Sequence, residues 1–508
     1  MDKRTKHLIR NSTIVIAIFV LEKFGGFGRL FLITGQFGAS SDADAFTAAS
    51  QLPELMFAML AGGALGAALI PVYSEYLTNH SKREQEQLAH TVMTLIIMVS
   101  GVVSLLGILS APWLVRVVLA PDFSAELQLL TTKLMRISLT SYLILGVGGT
   151  LSSMLNAHQH FILPAVAILM MDLGGIFGLA VLAPRMGIEG ASWGLVVGAV
   201  MTVLVQLPAA WHYGLTFRPK LALHLKGIRE IIRLMLPRMV TLGLGQMSDL
   251  FVIRVGSRLP EGDLALFFFG ILLISLPTSL FAWAVGGVIL PTMAEQFHEG
   301  DKQKFKQTVT SATRVLWFLL LPSAIGLIAL GRPGIAFLFE RGEFDPAATN
   351  TLYLIVIVLA LRILSEAFLT SLERLFYARH DTRTVMWGFV VWFIVYVGLT
   401  YLLVPSIGVL GLATANSIAF VLLTSGLYWT QARRYQDVNW QQLIITLRRT
   451  LPAVVGMLLA IHGIRLLGLI DTTFVLLAVA AGGVVYVMLY LLFGGREYVP
   501  LLADVWRE

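Results

Sequence analysis

The chain has 508 residues, of which 57% are hydrophobic and only 13% charged, with a net charge of +7 and no cysteine; its mean hydropathy is +0.79. A soluble protein carries roughly 25% charged residues and about 45–50% apolar ones, so a cytosolic enzyme, a disordered chain and a disulfide-stapled scaffold are excluded. Without cysteine there is no thiolate metal site and no cysteine nucleophile. The composition is that of an all-α polytopic membrane protein.

A helix needs about 20 apolar residues to cross the hydrocarbon core. Fourteen such stretches follow one another, centred near Val20, Met59, Ser100, Leu143, Leu173, Gly198, Leu244, Leu280, Leu319, Ala360, Ile394, Phe420, Leu459 and Val484. The connections are short and leave no room for a soluble domain. Glu22 and Lys23 interrupt the first stretch and no cleavage site stands out, so it reads as a retained span rather than a signal peptide.

Lys and Arg alternate between the loops. The N-terminus (Lys3, Arg4, Lys6, Arg10), the even-to-odd loops and the C-terminus carry 22 of them, against four in the opposite loops. Counting the span-edge residues gives 24 against eight. The positive-inside rule then puts both termini in the cytoplasm, which an even number of spans requires. The chain is expected to be a multi-pass membrane protein.

The sequence also repeats itself. Leu52-Pro53, Phe57-Ala58, Gly62-Gly63, Ile70-Pro71 and Glu75 are echoed by Leu276-Pro277, Phe281-Ala282, Gly286-Gly287, Leu290-Pro291 and Glu295. The interval from Phe123 to Asn156-Ala157-His158 equals that from Phe344 to Tyr377-Ala378-Arg379. The offsets between the copies cluster around one value, which corresponds to six spans. This predicts two pseudo-symmetric six-helix lobes, 1–222 and 223–440, with two C-terminal helices and a tail in 441–508. Such repeats are common in alternating-access transporters.

Ionisable groups at membrane depth usually face a wet cavity or a partner. Span 1 carries Glu22, Lys23 and Arg29, with Glu22 and Arg29 within about 20° of each other on the helix surface. They predict a polar cavity wall that offers two cations to an anionic substrate; a structural ion pair is the plainer reading. Span 10 carries Arg362 and Glu366, i,i+4 neighbours that also suit a self-neutralising pair. Span 7 carries Arg238, Asp249 and Arg254, of which Asp249 is the most deeply placed. Asp42 and Asp44 open span 2, where helix capping competes with a cavity role, and Glu54 lies deeper. Gly25, Gly26 and Gly28 allow either a bend in span 1 or close packing. No histidine spacing suits a metal, and no nucleotide-binding or hydrolase motif occurs. The Asp42-Ala43-Asp44 string lacks a catalytic domain to make it a metal site.

Taken in order, these strings resemble the MurJ (MviN) family. They include Phe27-Gly28-Arg29, Gln36-Phe37-Gly38-Ala39, Asp44-Ala45-Phe46, Leu52-Pro53 and the run from Phe57 to Pro71. Leu155-Asn156-Ala157 with Phe161 and Pro164, Leu290-Pro291, Phe339-Glu340-Arg341-Gly342-Glu343-Phe344, and Phe376-Tyr377-Ala378-Arg379 with Asp381 continue the match to about residue 385. The resemblance implies a lipid II flippase of the multidrug/oligosaccharidyl-lipid/polysaccharide exporter superfamily. Its fourteen helices would form two lobes, and the last two would form a groove for the lipid tail. The family's cavity bases fall on Lys23 and Arg29, and its acidic residue of span 2 on Asp44. Three other family positions fall on Phe57, Gly62 and Leu272, which carry no charge; Arg238, Arg254 or Arg362 would have to replace the missing arginines.

The substrate-binding set expected from the sequence is therefore Lys23, Arg29, Asp44, Glu22, Arg362, Glu366, Asp249 and Arg238, with no catalytic or metal-ligating residue. The expected partners are lipid II or a related polyprenyl-pyrophosphate-linked sugar and the surrounding membrane lipids, with no nucleic acid, acting on a monomer. No cofactor is expected, and an ion gradient or the membrane potential is the remaining drive. The alternative is an exporter of another polyprenol-linked glycan, or a drug/cation antiporter of the same superfamily. A polyprenol-phosphate transferase would need clustered acidic metal ligands, and a transport-inactive scaffold would fit the missing arginines.

Overall fold

The computed structural model describes residues 3–60, 63–215, 218–299, 301–379, 381–435 and 440–493. Gly62 and the tail from 494 lie outside them. The described residues form helices and connecting turns, with no strand. In chain order the helices are α1 (Lys3–Phe37), α2 (Ser41–Leu60), α3 (Gly63–Asn79), α4 (Lys82–Trp113), α5 (Ala125–Ala157), α6 (Ile162–Phe177), α7 (Ala183–Met186), α8 (Glu189–Leu204), α9 (Leu207–His212), α10 (Lys226–Gly256), α11 (Asp263–His298), α12 (Lys302–Phe339), α13 (Pro346–Ala378), α14 (Thr382–Ile407), α15 (Val409–Arg434), α16 (Trp440–Arg465) and α17 (Asp471–Leu492). Leu114–Leu119 and Gly178–Leu182 are π-helical turns that extend α4 and join α6 to α7.

Helices are the expected solution in lipid, because each satisfies its backbone hydrogen bonds within itself. Among the described residues, twelve segments are long and apolar enough to cross a membrane. The other two long helices, α1 and α10, hold the charged residues of spans 1 and 7.

The chain divides into two compact units, Met1–Ala265 and Leu266–Glu508. In the first, α10 packs against α2 and α3, burying Ile228 and Ile231 among Leu65, Leu69, Tyr73 and Leu88. The Tyr76 hydroxyl accepts a hydrogen bond from the Gly227 amide at 3.0 Å. Span 7 thus packs within the first unit, whereas the repeat places it at the start of the second lobe. In the second, α16 and α17 pack on each other and on α12.

The repeat is visible element by element. α5 and α13 have the same length, and their starts are capped alike, by Ser124 and Asp345 through the Leu127 and Ala348 amides. They end at His158 and Arg379. Gly187 and Gly408, separated by the same offset as the two caps, have positive φ (63° and 57°), a conformation that favours glycine. In the turn that follows each, a Cβ at Gly190 or Gly411 would meet the backbone of the preceding helix at 2.3 or 2.7 Å.

The equivalent helix ends also carry equivalent ring contacts. The His158 ring stacks on Tyr213 with centroids 4.5 Å apart and meets Tyr73 edge-on at 5.8 Å. Arg379 lies over Tyr435 at 4.5 Å and Phe305 at 5.3 Å. His158 is partly buried in this stack rather than freely solvated as a loop residue would be.

Candidate functional site

The charges of α1 are answered by a residue that the sequence reading missed. The Arg29 guanidinium lies 3.7 Å from the carboxylate of Asp172 on α6. Asp172 is buried, only 7% exposed, within an otherwise apolar helix. Lys23 pairs with its neighbour Glu22 at 3.2 Å. Both residues also act electrostatically on Asp172, and Arg29 acts on Glu54 of α2. Glu22, Lys23, Arg29, Glu54 and Asp172 therefore form one charged group in the first unit, with two cations and three carboxylates.

Glycine makes this approach possible. A Cβ on Gly175 would sit 2.7 Å from the Arg29 Cδ, and one on Gly25 would sit 3.0 Å from the Asp172 Cβ. The arginine stem lies across a bare stretch of α6, and α1 runs unbroken from Lys3 to Phe37. Of the two roles open to the glycines of span 1, the observed one at Gly25 is close packing. Gln36 adds a contact from its amide to the Leu179 carbonyl at 2.9 Å, within the π-helical turn where carbonyls depart from the regular α-helical ladder.

Asp44 serves elsewhere. It is buried, 3% exposed, and its two oxygens accept hydrogen bonds from the Gly262 and Ala265 amides, each at 2.7 Å. It caps the start of α11, not its own helix. In return, Glu261 accepts from the Ser41 amide at the start of α2, at 3.0 Å. The two first turns thus cap each other. Bonds from Ser41 hold the Glu261 carboxyl below the usual carboxylate range. Gly262, at φ 82°, leaves no room for a side chain, since a Cβ would be 2.2 Å from the Ala39 carbonyl oxygen.

In the second unit, Arg362 and Glu366 form the intrahelical pair expected from their spacing, at 3.4 Å. Arg362 also donates to the Asn416 side-chain oxygen at 3.0 Å and stacks over Phe420 at 4.2 Å. Glu373, a further turn pair along α13 and not singled out from the sequence, is close enough to Glu366 for their charges to interact. Asp249 is half-buried and Arg238 exposed on α10. Arg254 donates to the Val117 and Val118 carbonyls at 2.6 and 3.0 Å, so its guanidinium serves the end of the π-helical turn after α4. Among the described residues, no group of three or more histidines or carboxylates could hold a metal.

The single carboxylate in the middle of span 5 was a readable signal for Asp172, since such residues seldom enter the membrane without a partner. What the sequence lacked was the identity of that partner.

Comparison with known proteins gives a consistent result. The family model described as Lipid II flippase MurJ matches residues 33–484. The lipid II flippase MurJ of Burkholderia cenocepacia is 26% identical over 424 residues, covering 82% of each chain. The probable lipid II flippase MurJ of Bdellovibrio bacteriovorus is 26% identical over 430 residues, covering 84% of this chain and 82% of its own. Among solved structures, a lipid II flippase MurJ in an inward closed conformation superposes with a TM-score of 0.81 at 21% identity, over 96% of this chain and 100% of its own. An inward-facing multidrug transporter of the MATE family superposes at 0.71 with 15% identity, over 81% of this chain and 94% of its own. These likenesses establish the shared fold.

Proposed function

The chain belongs to the lipid II flippase MurJ family, and from that premise we propose that it carries lipid II from the inner to the outer leaflet by alternating access. The transported headgroup is a pyrophosphate-linked sugar, and the lipid tail stays in the membrane. The site asks for cations at membrane depth, and the charged group around Arg29 is the observation that carries this reading.

Arg29 is the centre of the site. A guanidinium holds phosphate oxygens by two parallel charge-assisted hydrogen bonds. Asp172 neutralises it, which avoids the cost of an unpaired charge in a low-dielectric setting. An arriving pyrophosphate competes for the same donors, and the 3.7 Å separation leaves the pair loose enough to exchange. Lys23 adds a second cation once Glu22 yields it. Asp44 acts at a distance, by fixing the first turn of α11 to the first turn of α2.

Both termini are cytoplasmic in this reading, α1 and α10 cross the membrane with the other twelve segments, and the protein works as a monomer. Transport involves no catalytic chemistry on the substrate. An ion gradient or the membrane potential drives it, with Asp249 as the candidate coupling group. The test is lipid II translocation in proteoliposomes. Arg29→Ala is expected to lower the rate by roughly 100-fold or more, the range for deleting one partner of a desolvated charge contact. Translocation at the wild-type rate would refute the site.

A further inference from the structure

The second unit carries a groove that the transport reading does not use. It runs between α14 and α15, has a volume of about 620 Å³, and begins at the turn after α13. Gly388, Leu423 and Leu427 line its depth, Trp387 and Trp429 its walls, and Arg383 and Arg434 its polar end. α14 is the least buried of the twelve candidate spans, and Trp387, Val391, Leu422 and Trp429 are all more than half exposed. The groove therefore opens toward the lipid rather than into a packed core.

We propose that this groove binds an anionic phospholipid of the cytoplasmic leaflet, with its acyl chains along α14 and α15 and its phosphate at Arg383 and Arg434. Charge complementarity selects that occupant. The one acidic lining residue, Asp381, spends its oxygens on the Thr384 amide and hydroxyl at 3.1 and 2.7 Å and on the Tyr435 hydroxyl at 2.9 Å. Arg434 donates to Thr384 at 3.4 Å and so already points at the rim. Arg383 is exposed and has no hydrogen-bond or ion-pair partner among the described residues. Two arginines against one engaged carboxylate leave the polar end positive. Arg433, stacked over Trp429 at 4.2 Å, extends the positive rim. The basic-residue bias assigns this turn to the cytoplasmic side, where the leaflet is anionic and basic pockets between helices bind acidic headgroups. Tryptophan at the same level is the usual interfacial anchor.

The test is lipid retention by the full-length protein in detergent, followed by native mass spectrometry with phosphatidylglycerol, phosphatidylethanolamine or undecaprenyl phosphate added. Wild type should retain phosphatidylglycerol in preference to phosphatidylethanolamine. Arg383→Glu should weaken phosphatidylglycerol binding roughly 30-fold, from two units of charge near the surface. Gly426→Leu should lower retention of both phospholipids, because that glycine lines the groove and has open space beside it. Arg383→Gln, with a smaller loss, keeps the test valid should the reversal fail to fold. Equal retention of the two phospholipids by wild type, or phosphatidylglycerol binding indifferent to the substitutions at Arg383 and Gly426, would overturn the proposal. Displacement of phosphatidylglycerol by undecaprenyl phosphate in the wild type, but not in Gly426→Leu, would also overturn it and give the groove to the transported lipid instead.

Discussion

The two units share a helical plan but treat their buried charges in opposite ways. In the first, Arg29 meets its carboxylate on a different helix, at 3.7 Å and across glycine. In the second, Arg362 meets Glu366 one turn along the same helix and is further held by Asn416 and Phe420. An interhelical pair can be broken by a ligand or by a small shift of either helix. An intrahelical pair moves with its helix and stays neutral. On the function proposed above, substrate handling falls to the first unit, and the pair of the second unit is structural.

Exchanging the partners, Arg29→Asp with Asp172→Arg, tests this most severely. The pair is kept, so thermal stability should stay near wild type, but the cation moves to α6 and translocation should fall by roughly 100-fold. Equal transport would mean that only net charge matters. Asp172→Asn alone should cost roughly 1–3 kcal/mol in denaturant unfolding, less than a fully buried pair because Arg29 remains about a third exposed. A variant as stable as wild type would show the pair to be incidental.

Replacing both Arg362 and Glu366 by leucine should change stability by no more than about 1 kcal/mol, since a paired buried charge often exchanges for apolar packing at little cost. Translocation should remain within about twofold of wild type, the scale of an ordinary packing change. A large transport defect would move part of the substrate site, or the coupling group, into the second unit.

The smallest effect concerns the equivalent helix ends, His158 on Tyr213 and Arg379 on Tyr435. Burial pulls the His158 pKa down, so the folded form favours the neutral ring. Its contribution is fully present above the unfolded value of about 6.5 and is lost as pH falls through the lower folded value. Amide protection factors around residues 155–161 should therefore fall between pH 7.5 and pH 5.5, while those of residues 376–379 stay unchanged. His158→Gln should abolish the difference. A parallel fall at both ends would show that the histidine is not responsible.

Much of the fold was legible in the sequence because hydropathy and helical spacing are local properties. The centre of each of the fourteen apolar stretches falls in a helix, and the offset of the repeat is reproduced in the paired ends of α5 and α13 and in Gly187 and Gly408. The Arg362–Glu366 pair was equally readable, since both residues share one helical face. Asp44 shows the limit. Its place in a first turn suggested capping of its own helix or a cavity role, yet its oxygens hold the Gly262 and Ala265 amides, far along the chain. Lys23 and Arg29 were identified as cations, but nothing along α1 indicated that Asp172 would answer Arg29.

The sequence by itself determined that this chain lives in a membrane, where its helices run, that its plan is duplicated and which residues carry charge at depth. Bilayer thickness and the regular turn of the α-helix impose those features on any apolar chain of this pattern. Only the tertiary structure decided the partners. Which helix faces which depends on close contacts such as Gly175 beneath Arg29 and Gly262 against Ala39, and the energy of a buried charge is set by the neighbour that those contacts bring to it.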